Sequence, residues 1–282
     1  ADLAHLGDLK TGVMLPQPDG SKPDTHGIPI LCRDYVSHVG DAVAFVVADS
    51  RTLAQDAAEL IEVEYEPADA VAATAEALAE GAPIVWKGAS SNLAFHYEIG
   101  DRAAADEAFA KADHVTRIEF SNNRLVCNYM EPRSALAEFK PDEDRFYLTT
   151  GTQGVFSARR ILCDLVFKMP HEKLRVLTPD VGGGFGVKGF VYREYALVIE
   201  AAKQLGRPVK WTSDRTEHFL VDAQGRDNVV EAEMAMDKDG RFLALRVHNT
   251  ANIGAYAHQF APFIPWVGGT MSTGVYDIPA LD

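Results

Sequence analysis

Hydrophobic and polar residues alternate in several short stretches of the second half of the chain, a pattern typical of half-buried β-strands. The clearest pair, 229–236 and 242–249, flanks the turn Asp237-Lys-Asp-Gly240 and predicts a β-hairpin. The same alternation predicts further strands at 114–120, 134–139, 145–150, 173–178 and 208–213. Helical spacing of apolar residues predicts helices at 101–112, 155–167 and 193–205. The chain is therefore predicted to be an α+β protein.

The first third of the chain has a different pattern of apolar and polar residues. An apolar run at 41–48 predicts a buried strand, and alternation at 61–66 predicts a half-exposed one that ends at Pro67. Between them, Asp49 and Ser50 can cap a helix at 52–60. This order predicts a strand–helix–strand module. The alanine-rich stretch 68–79 predicts a short helix, and 81–100 an extended crossing segment.

Composition narrows the function classes. A chain of 282 residues with 47% hydrophobic residues is long enough for two globular domains. Its net charge of −14, from 27 basic and 41 acidic residues, argues against a nucleic-acid-binding surface. Cys32, Cys127 and Cys163 are scattered, which excludes an iron–sulfur ligand run within the chain and indicates a reducing compartment. There is no membrane-length apolar run and no signal-like beginning, so we expect a cytoplasmic protein.

Glycines are concentrated in one segment, residues 180–189 with the sequence DVGGGFGVKG. It joins a predicted strand to a predicted helix, a geometry that presents backbone N–H groups to an anion or a polar cofactor. A phosphate-binding P-loop is excluded, because Gly189 stands where Ser or Thr should hold magnesium.

Two other interpretations of this segment stay open. Gly184-x-Gly186-x-x-Gly189 fits the dinucleotide fingerprint, with Asp214 as a candidate ribose-binding acid, and would make the protein a nicotinamide-dependent oxidoreductase. Against this, hairpins rather than further βαβ units follow. The third possibility is a cofactor-free structural domain with an empty loop.

Other polar residues give weaker signals. Gln153 lies between a predicted strand and a predicted helix, where its amide can donate to an oxo group. Glu131 and Arg133 are predicted to form a structural pair, and the stretch 214–218 a loop of satisfied polar groups. The nine histidines show no metal-ligand spacing, and there is no G-x-S-x-G motif, so we predict no protein metal ligands and no hydrolase chemistry.

An ordered set of motifs resembles a known family. The segments are 130–138 (MEPRSALAE), Thr152-Gln153, 181–188 and 206–215, and together they resemble the molybdopterin-binding large subunit of the xanthine oxidase family. That family includes aldehyde oxidases and aerobic carbon monoxide dehydrogenases. Residues 35–65 resemble the second half of its α/β hammerhead domain. The resemblance implies a partial hammerhead domain at 1–75, a linker at 76–100, and the first part of a mixed α+β molybdopterin-binding domain at 101–282.

The resemblance also implies roles for individual residues. The residue matching Gln153 bonds an oxygen on molybdenum, and the one matching Phe185 lines the substrate position. The backbone at Gly183, Gly184, Phe185 and Gly186 approaches the cofactor. The metal is held by the pterin rather than by side chains. The expected cofactor is molybdopterin in its cytosine dinucleotide form.

The implied reaction is oxidation of an aldehyde, an N-heterocycle or carbon monoxide with water as the oxygen source. Electrons would pass to iron–sulfur clusters and FAD on partner subunits, in a dimer of heterotrimers without nucleic acid or a membrane span. Purine-oxidising members carry Glu directly after the loop lysine, where this chain has Gly189, so purines are not the expected substrate. Family large subunits are much longer, so we interpret the chain as an internal fragment, inactive alone, that binds cofactor weakly or not at all.

Overall fold

The computed structural model describes residues 3–15 and 17–282. The helices in this part of the chain are α1 (Arg51–Glu59), α2 (Arg102–Lys111), α3 (Val155–Ile161), α4 (Arg193–Leu205), α5 (Arg215–Val221) and α6 (Phe263–Gly269). The strands are β1 (His114–Asn122), β2 (Ser134–Lys140), β3 (Arg145–Thr150), β4 (Leu174–Leu177), β5 (Val209–Thr212), β6 (Asn228–Met236), β7 (Phe242–Ala251) and β8 (Ala280–Leu281). A π-helical stretch, Leu162–Phe167, continues α3, and 3-10 turns lie at Pro141–Glu143, His171–Lys173 and Val187–Gly189.

The chain divides into two compact units. The first contains the described residues up to Lys10 together with His26–Ala68 and Val126–Gln224. The second contains the described residues from Thr11 to Thr25 together with Asp69–Leu125 and Gly225–Asp282. The domain boundaries predicted from the sequence stay a prediction.

The first unit is built on a sheet with strand order β4-β3-β2-β5, in which only β4 and β3 run parallel. The predicted alternation is confirmed, since Phe146 and Leu148 of β3 are buried on one face together with Ala135 and Ala137 of β2. Helix α4 packs against β2. Two alanines there leave room for a close approach of the helix.

Helix α4 has the predicted bounds, Arg193–Leu205. It is buried over most of its length, and each of Leu197, Val198 and Ile199 contributes roughly 1.5–3 kcal/mol by burial. It ends at Gly206, whose φ of 62° is the left-handed conformation that glycine adopts without strain. This well-anchored helix fixes the end of the glycine segment that precedes it.

The predicted strand–helix–strand module is confirmed only in its helix. Helix α1 begins after Ser50, whose side chain accepts from the Leu53 N–H at 3.2 Å. The strands predicted at 41–48 and 61–66 are wrong, because neither forms a ladder with another described segment; Ala42 accepts one backbone hydrogen bond, from Cys32. The helix predicted at 68–79 is also wrong. Its residues form turns and are mostly exposed, and a short helix without packing is marginal.

The second unit is built on a sheet with strand order β1-β6-β7-β8. The predicted hairpin is confirmed as β6 and β7, and the predicted strand at 114–120 as β1. Helix α2, capped by Asp101, packs through Ala105 near Ala235, Ala244 and Ala280. The last stretch of the chain contains α6 and β8. No helix in the described ranges is long and apolar enough to cross a bilayer.

Candidate functional site

The glycine loop, residues 180–189, connects β4 to α4 as predicted. Three of its residues have left-handed backbone: Gly183 and Gly186 with φ of 91°, and Phe185 with φ of 47°. For Phe185 this conformation costs roughly 1–2 kcal/mol, because its Cβ crowds the backbone. The Phe185 side chain is nevertheless 75% exposed. A strained residue that holds a large apolar ring out in solvent is typical of a binding site.

Two of the glycines are required by close contacts. A Cβ on Gly182 would lie 2.5 Å from Cβ of Glu131, and one on Gly184 would lie 2.6 Å from Oε1 of Gln153. Gly189 differs from both, because a Cβ there would meet nothing within 4 Å and its φ is not positive. The loop therefore needs its central glycines but not its last one.

This difference bears on the dinucleotide interpretation. The third glycine of that fingerprint lets the helix pack closely on the strand, whereas Gly189 makes no such close contact. The fingerprint also joins neighbouring parallel strands, whereas β4 and β5, on either side of α4, are separated by β3 and β2. The geometry does not support a nicotinamide site at Gly184, Gly186 and Gly189.

Replacing Gly184 with alanine should displace the Gln153 side chain from its hydrogen bond to the loop. We expect a loss of roughly 1–2 kcal/mol in the free energy of unfolding, from one lost hydrogen bond and local repacking. Chemical denaturation measures it. Gly189→Ala is the matched control and should be within about 0.5 kcal/mol of the parent. Equal losses in both variants would contradict this account of the loop.

Gln153 lies against the glycine loop, and its amide orientation is fixed. Its backbone N–H donates to the Lys188 carbonyl at 3.0 Å, and its Oε1 accepts from the Gly186 N–H at 3.0 Å. Because Gly186 needs an acceptor, Oε1 must face the loop and Nε2 must face away from it. Nε2 has no acceptor among the described residues, and the side chain is exposed.

Further donors lie beside it. The backbone N–H groups of Gly184 and Phe185 have no hydrogen-bond acceptor within the part of the chain that the structure describes. With Gln153 Nε2 they form a set of neutral N–H donors, which suits the oxygen atoms of a polar or anionic group. Open space over Gly186, where a Cβ would meet nothing within 4 Å, lets such a group approach the backbone. In residues 3–15 and 17–282, no cluster of three or more His, Cys, Asp or Glu could hold a metal ion.

The predicted pairing of Glu131 with Arg133 is wrong. Glu131 and Arg133 do not pair with each other; Pro132 separates them and their side chains serve different groups. Glu131 Oε2 accepts from Lys188 Nζ at 2.6 Å, whereas Arg133 Nε donates to Asp222 Oδ1 at 2.6 Å.

Arg133 is the centre of a buried polar cluster. Its Nη1 donates to Glu194 at 3.0 Å, and its guanidinium lies 3.6 Å from the centroid of the Tyr192 ring. Burial alone would lower the pKa of Arg133, but the Glu194 and Asp222 carboxylates outweigh it and raise the pKa. The guanidinium is therefore a fixed positive charge in the interior.

Asp222 connects this cluster to the glycine loop. Besides Arg133, it accepts from the Tyr129 hydroxyl and lies 2.9 Å from Nδ1 of His218. A Cβ on Gly183 would be 3.1 Å from Cβ of Tyr129, so the loop rests on that residue. Burial and the Asp222 hydrogen bond raise the pKa of Tyr129, which keeps its hydroxyl protonated as a donor.

The prediction of a loop at 214–218 is wrong, because these residues begin α5. The Asp214 carboxylate accepts from the Glu217 N–H at 2.7 Å and caps the helix. The sequence carries the signal, since an Asp followed three residues later by Glu is a helix-start pattern. Helix α5 is what delivers His218 and Asp222 to the buried cluster.

Glu217 on α5 should make the protein less stable as pH rises. Burial, and then repulsion by Glu194, raises the pKa of Glu217 to about 7. A carboxyl whose folded pKa is raised loses its stabilising proton between about pH 4.5 and 7, so the free energy of unfolding falls across that window. Glu217→Gln should remove this slope and gain roughly 1–2 kcal/mol at pH 8, after a discount for solvent screening. Urea denaturation at pH 5 and pH 8 measures it, and equal slopes in both proteins would contradict it.

Two family models match this chain. Residues 85–282, well over half of it, match the model described as a molybdopterin cofactor-binding domain. The chain belongs to this molybdopterin-binding family. Residues 11–69 match the α/β hammerhead domain of aldehyde oxidase and xanthine dehydrogenase. The predicted family and the predicted fold class, a hammerhead portion followed by part of an α+β molybdopterin-binding domain, are both confirmed.

Individual members of the molybdopterin-binding family show the same likeness. The gamma subunit of the 6-hydroxypseudooxynicotine dehydrogenase complex of Paenarthrobacter nicotinovorans is 35% identical over 90% of this chain and 31% of its own length. The carbon monoxide dehydrogenase large chain of Afipia carboxidovorans is 34% identical over 89% of this chain and 32% of its own length. The chain thus spans about a third of the length of these relatives.

Solved structures of the family agree with the fold. Quinoline 2-oxidoreductase from Pseudomonas putida superposes with a TM-score of 0.85 at 34% identity, over 99% of this chain and 35% of that one. The aldehyde oxidoreductase of Desulfovibrio gigas also gives a TM-score of 0.85, at 26% identity, over 98% of this chain and 30% of that one.

Proposed function

We propose that this chain is part of the large subunit of a molybdenum hydroxylase and forms one wall of its active site. The full protein would oxidise an aldehyde, an N-heterocycle or carbon monoxide with water as the oxygen source. One observation carries the proposal: the Gly186 N–H fixes the Gln153 amide so that Nε2 faces away from the loop, and the same loop holds the exposed ring of Phe185. The family match supports a molybdopterin cofactor for this wall.

The residues of the loop would hold the cofactor in three ways. Gln153 Nε2 would donate to an oxygen of the bound group, and the N–H groups of Gly184 and Phe185 would offer two more donors. Gly186 is open in the direction of a Cβ, so no side chain would keep the group at a distance there, whereas Gly183 and Gly184 allow the close contacts that give the loop its shape. When bound, the cofactor supplies a redox centre that takes up the two electrons the substrate loses on oxygen insertion.

Phe185 would act on the substrate. Its exposed ring, carried by a left-handed residue of the loop that orients the Gln153 amide, presents a flat apolar surface. Such a surface would orient an aromatic or carbonyl substrate and exclude water from one side of it. Aldehydes, N-heterocycles and carbon monoxide are the proposed substrates, and Gly189 at the position of the purine-type Glu is the reason that purines are left out.

The remaining parts of the proposal concern the assembly. The cofactor would be the cytosine dinucleotide form of molybdopterin. Electrons would leave through iron–sulfur and FAD subunits in a dimer of heterotrimers in the cytoplasm. Two relatives are named as a complex subunit gamma and as a large chain, which supports a multi-subunit enzyme.

The test uses the full-length protein expressed with its partner subunits. Molybdenum would be measured by mass spectrometry and pterin by the fluorescence of its oxidised form. Turnover would be followed with an artificial electron acceptor on benzaldehyde, quinoline, carbon monoxide and hypoxanthine. We expect stoichiometric molybdenum and pterin and turnover of at least one of the first three. Absence of both molybdenum and pterin would overturn the proposal, and turnover of hypoxanthine alone would overturn its substrate class. This 282-residue chain alone should be inactive.

A further inference from the structure

Glu131 and the glycine loop are joined by a reciprocal pair of hydrogen bonds. The Gly182 N–H donates to Glu131 Oε2 at 2.8 Å, and the Glu131 N–H donates to the Gly182 carbonyl at 3.2 Å. A Cβ at position 182 would lie 2.5 Å from Cβ of Glu131, so only glycine fits there. The first half of the loop is therefore held to Glu131 by both backbone and side chain.

Lys188, at the other end of the loop, meets the same oxygen. Its Nζ lies 2.6 Å from Glu131 Oε2, and 4.6 Å from the centroid of the Tyr129 ring. The Lys188 side chain is 0% exposed, whereas that of Glu131 is 39% exposed. An ammonium buried without its carboxylate is strongly unfavourable, so the folded loop requires this pair. Burial favours protonation of Glu131, but the Lys188 and Gly182 hydrogen bonds outweigh it and lower its pKa.

The backbone of Lys188 extends the connection to Gln153. The Lys188 carbonyl accepts from the Gln153 N–H at 3.0 Å and from the Thr152 hydroxyl at 3.1 Å. Gln153 Oε1 in turn accepts from the Gly186 N–H within the same loop. Displacement of Lys188 would therefore move both groups that fix the Gln153 amide.

We propose that Lys188 is a positioning residue: its buried ammonium, through Glu131, locks the glycine loop in the conformation that orients the Gln153 amide. Lys188 is fully buried, and its ammonium contacts Glu131 and Tyr129. Its importance for catalysis rests on the proposed function, but its effect on the loop does not. Binding of a cofactor at the site and the conformational order of the glycine loop can therefore be tested by separate measurements.

The experiment compares hydrogen exchange at the Gly182, Gly186 and Gln153 amides in the full-length subunit within its complex. Lys188→Met removes the charge and nearly keeps the volume. We expect exchange at these three amides to rise about tenfold or more, with the rest of the first unit unchanged. Lys210→Met, at an exposed lysine on β5, is the matched control and should change nothing. Unchanged exchange in Lys188→Met would overturn the proposal.

A second variant tests the route through Glu131. In a Glu131→Gln background, Lys188→Met should add no more than about twofold to loop exchange, because the charged pair is already broken. Independent tenfold effects would show that Lys188 acts by another route and would overturn the proposal. If Lys188→Met does not fold, Lys188→Gln, which keeps a donor for Glu131, takes its place with an expected increase of about threefold.

Catalysis gives a further readout that separates this inference from the proposed function. In Lys188→Met we expect kcat to fall about tenfold while molybdenum content stays at the parent level, and Lys188→Arg, which retains the charge, to recover part of the loss. Missing molybdenum in the parent complex would contradict the proposed function alone. Exchange at the loop amides decides the positioning role in either case.

Discussion

Gln153→Glu is expected to remove most of the turnover of the full enzyme while leaving its fold intact. Glutamate is nearly isosteric with glutamine and still offers an oxygen to the Gly186 N–H, which now donates at 3.0 Å to Gln153. The outward Nε2 donor, however, becomes a second anionic oxygen. Loss of one such donor at a site of developing charge lowers kcat by about 10²–10³. Steady-state kinetics of the complex, on the substrate that the parent turns over best, measures the loss.

The control for this variant is Gln55→Glu, at an exposed glutamine on α1 in the same unit. It makes the same change of charge without touching the loop and should keep the parent kcat. Thermal unfolding of both variants should coincide with the parent within a few degrees. Parent-like turnover in Gln153→Glu would remove the central argument for the site, because no outward donor would then be needed.

Arg133→Met is expected to destabilise the protein by about 3–5 kcal/mol, enough to unfold a marginal domain. The substitution removes the only guanidinium between Glu194 and Asp222 in the described structure and leaves two buried carboxylates without it. Asp222 would still contact Tyr129 and His218, but no guanidinium would balance its negative charge. Chemical denaturation, or a loss of soluble protein on expression, measures the effect.

Arg207→Met is the matched control for the buried cluster. Arg207 also pairs with a carboxylate, that of Asp49 at 2.9 Å, but both side chains are largely exposed. An exposed pair contributes about 0–1 kcal/mol, so this variant should stay close to the parent. Similar losses in Arg133→Met and Arg207→Met would mean that burial does not govern the strength of these pairs here.

The regular elements of the second half of the chain could be predicted because their patterns are local. The spacing of apolar residues predicts both helix α4 and the β6–β7 hairpin. A glycine follows the last residue of the helix, and another lies in the turn of the hairpin. The stretches at 41–48 and 61–66 have strand-like composition too. Whether such a segment becomes a strand depends on a partner elsewhere in the chain, and periodicity carries no information about that.

The site was predictable in part. A glycine-rich turn between a strand and a helix signals close backbone approach, but the pairing of Gln153 with Gly186 is a contact that no local pattern shows. The partners of Glu131 and Arg133 were missed for the same reason. Neighbours in sequence suggested one pair, whereas each side chain finds its opposite charge 57 or more residues away, at Lys188 and at Glu194 and Asp222.

The ion pair between the buried Lys188 and Glu131 also has a kinetic consequence. Its partners are 57 residues apart in the chain, and the Gly182–Glu131 bond spans 51 residues, so neither can form before the sheet and α4 have brought the two segments together. We therefore expect the glycine loop to close late in folding, after the transition state. Substitutions at Lys188 should then accelerate unfolding and leave the folding rate nearly unchanged, which makes this one ion pair a determinant of how long the folded protein persists.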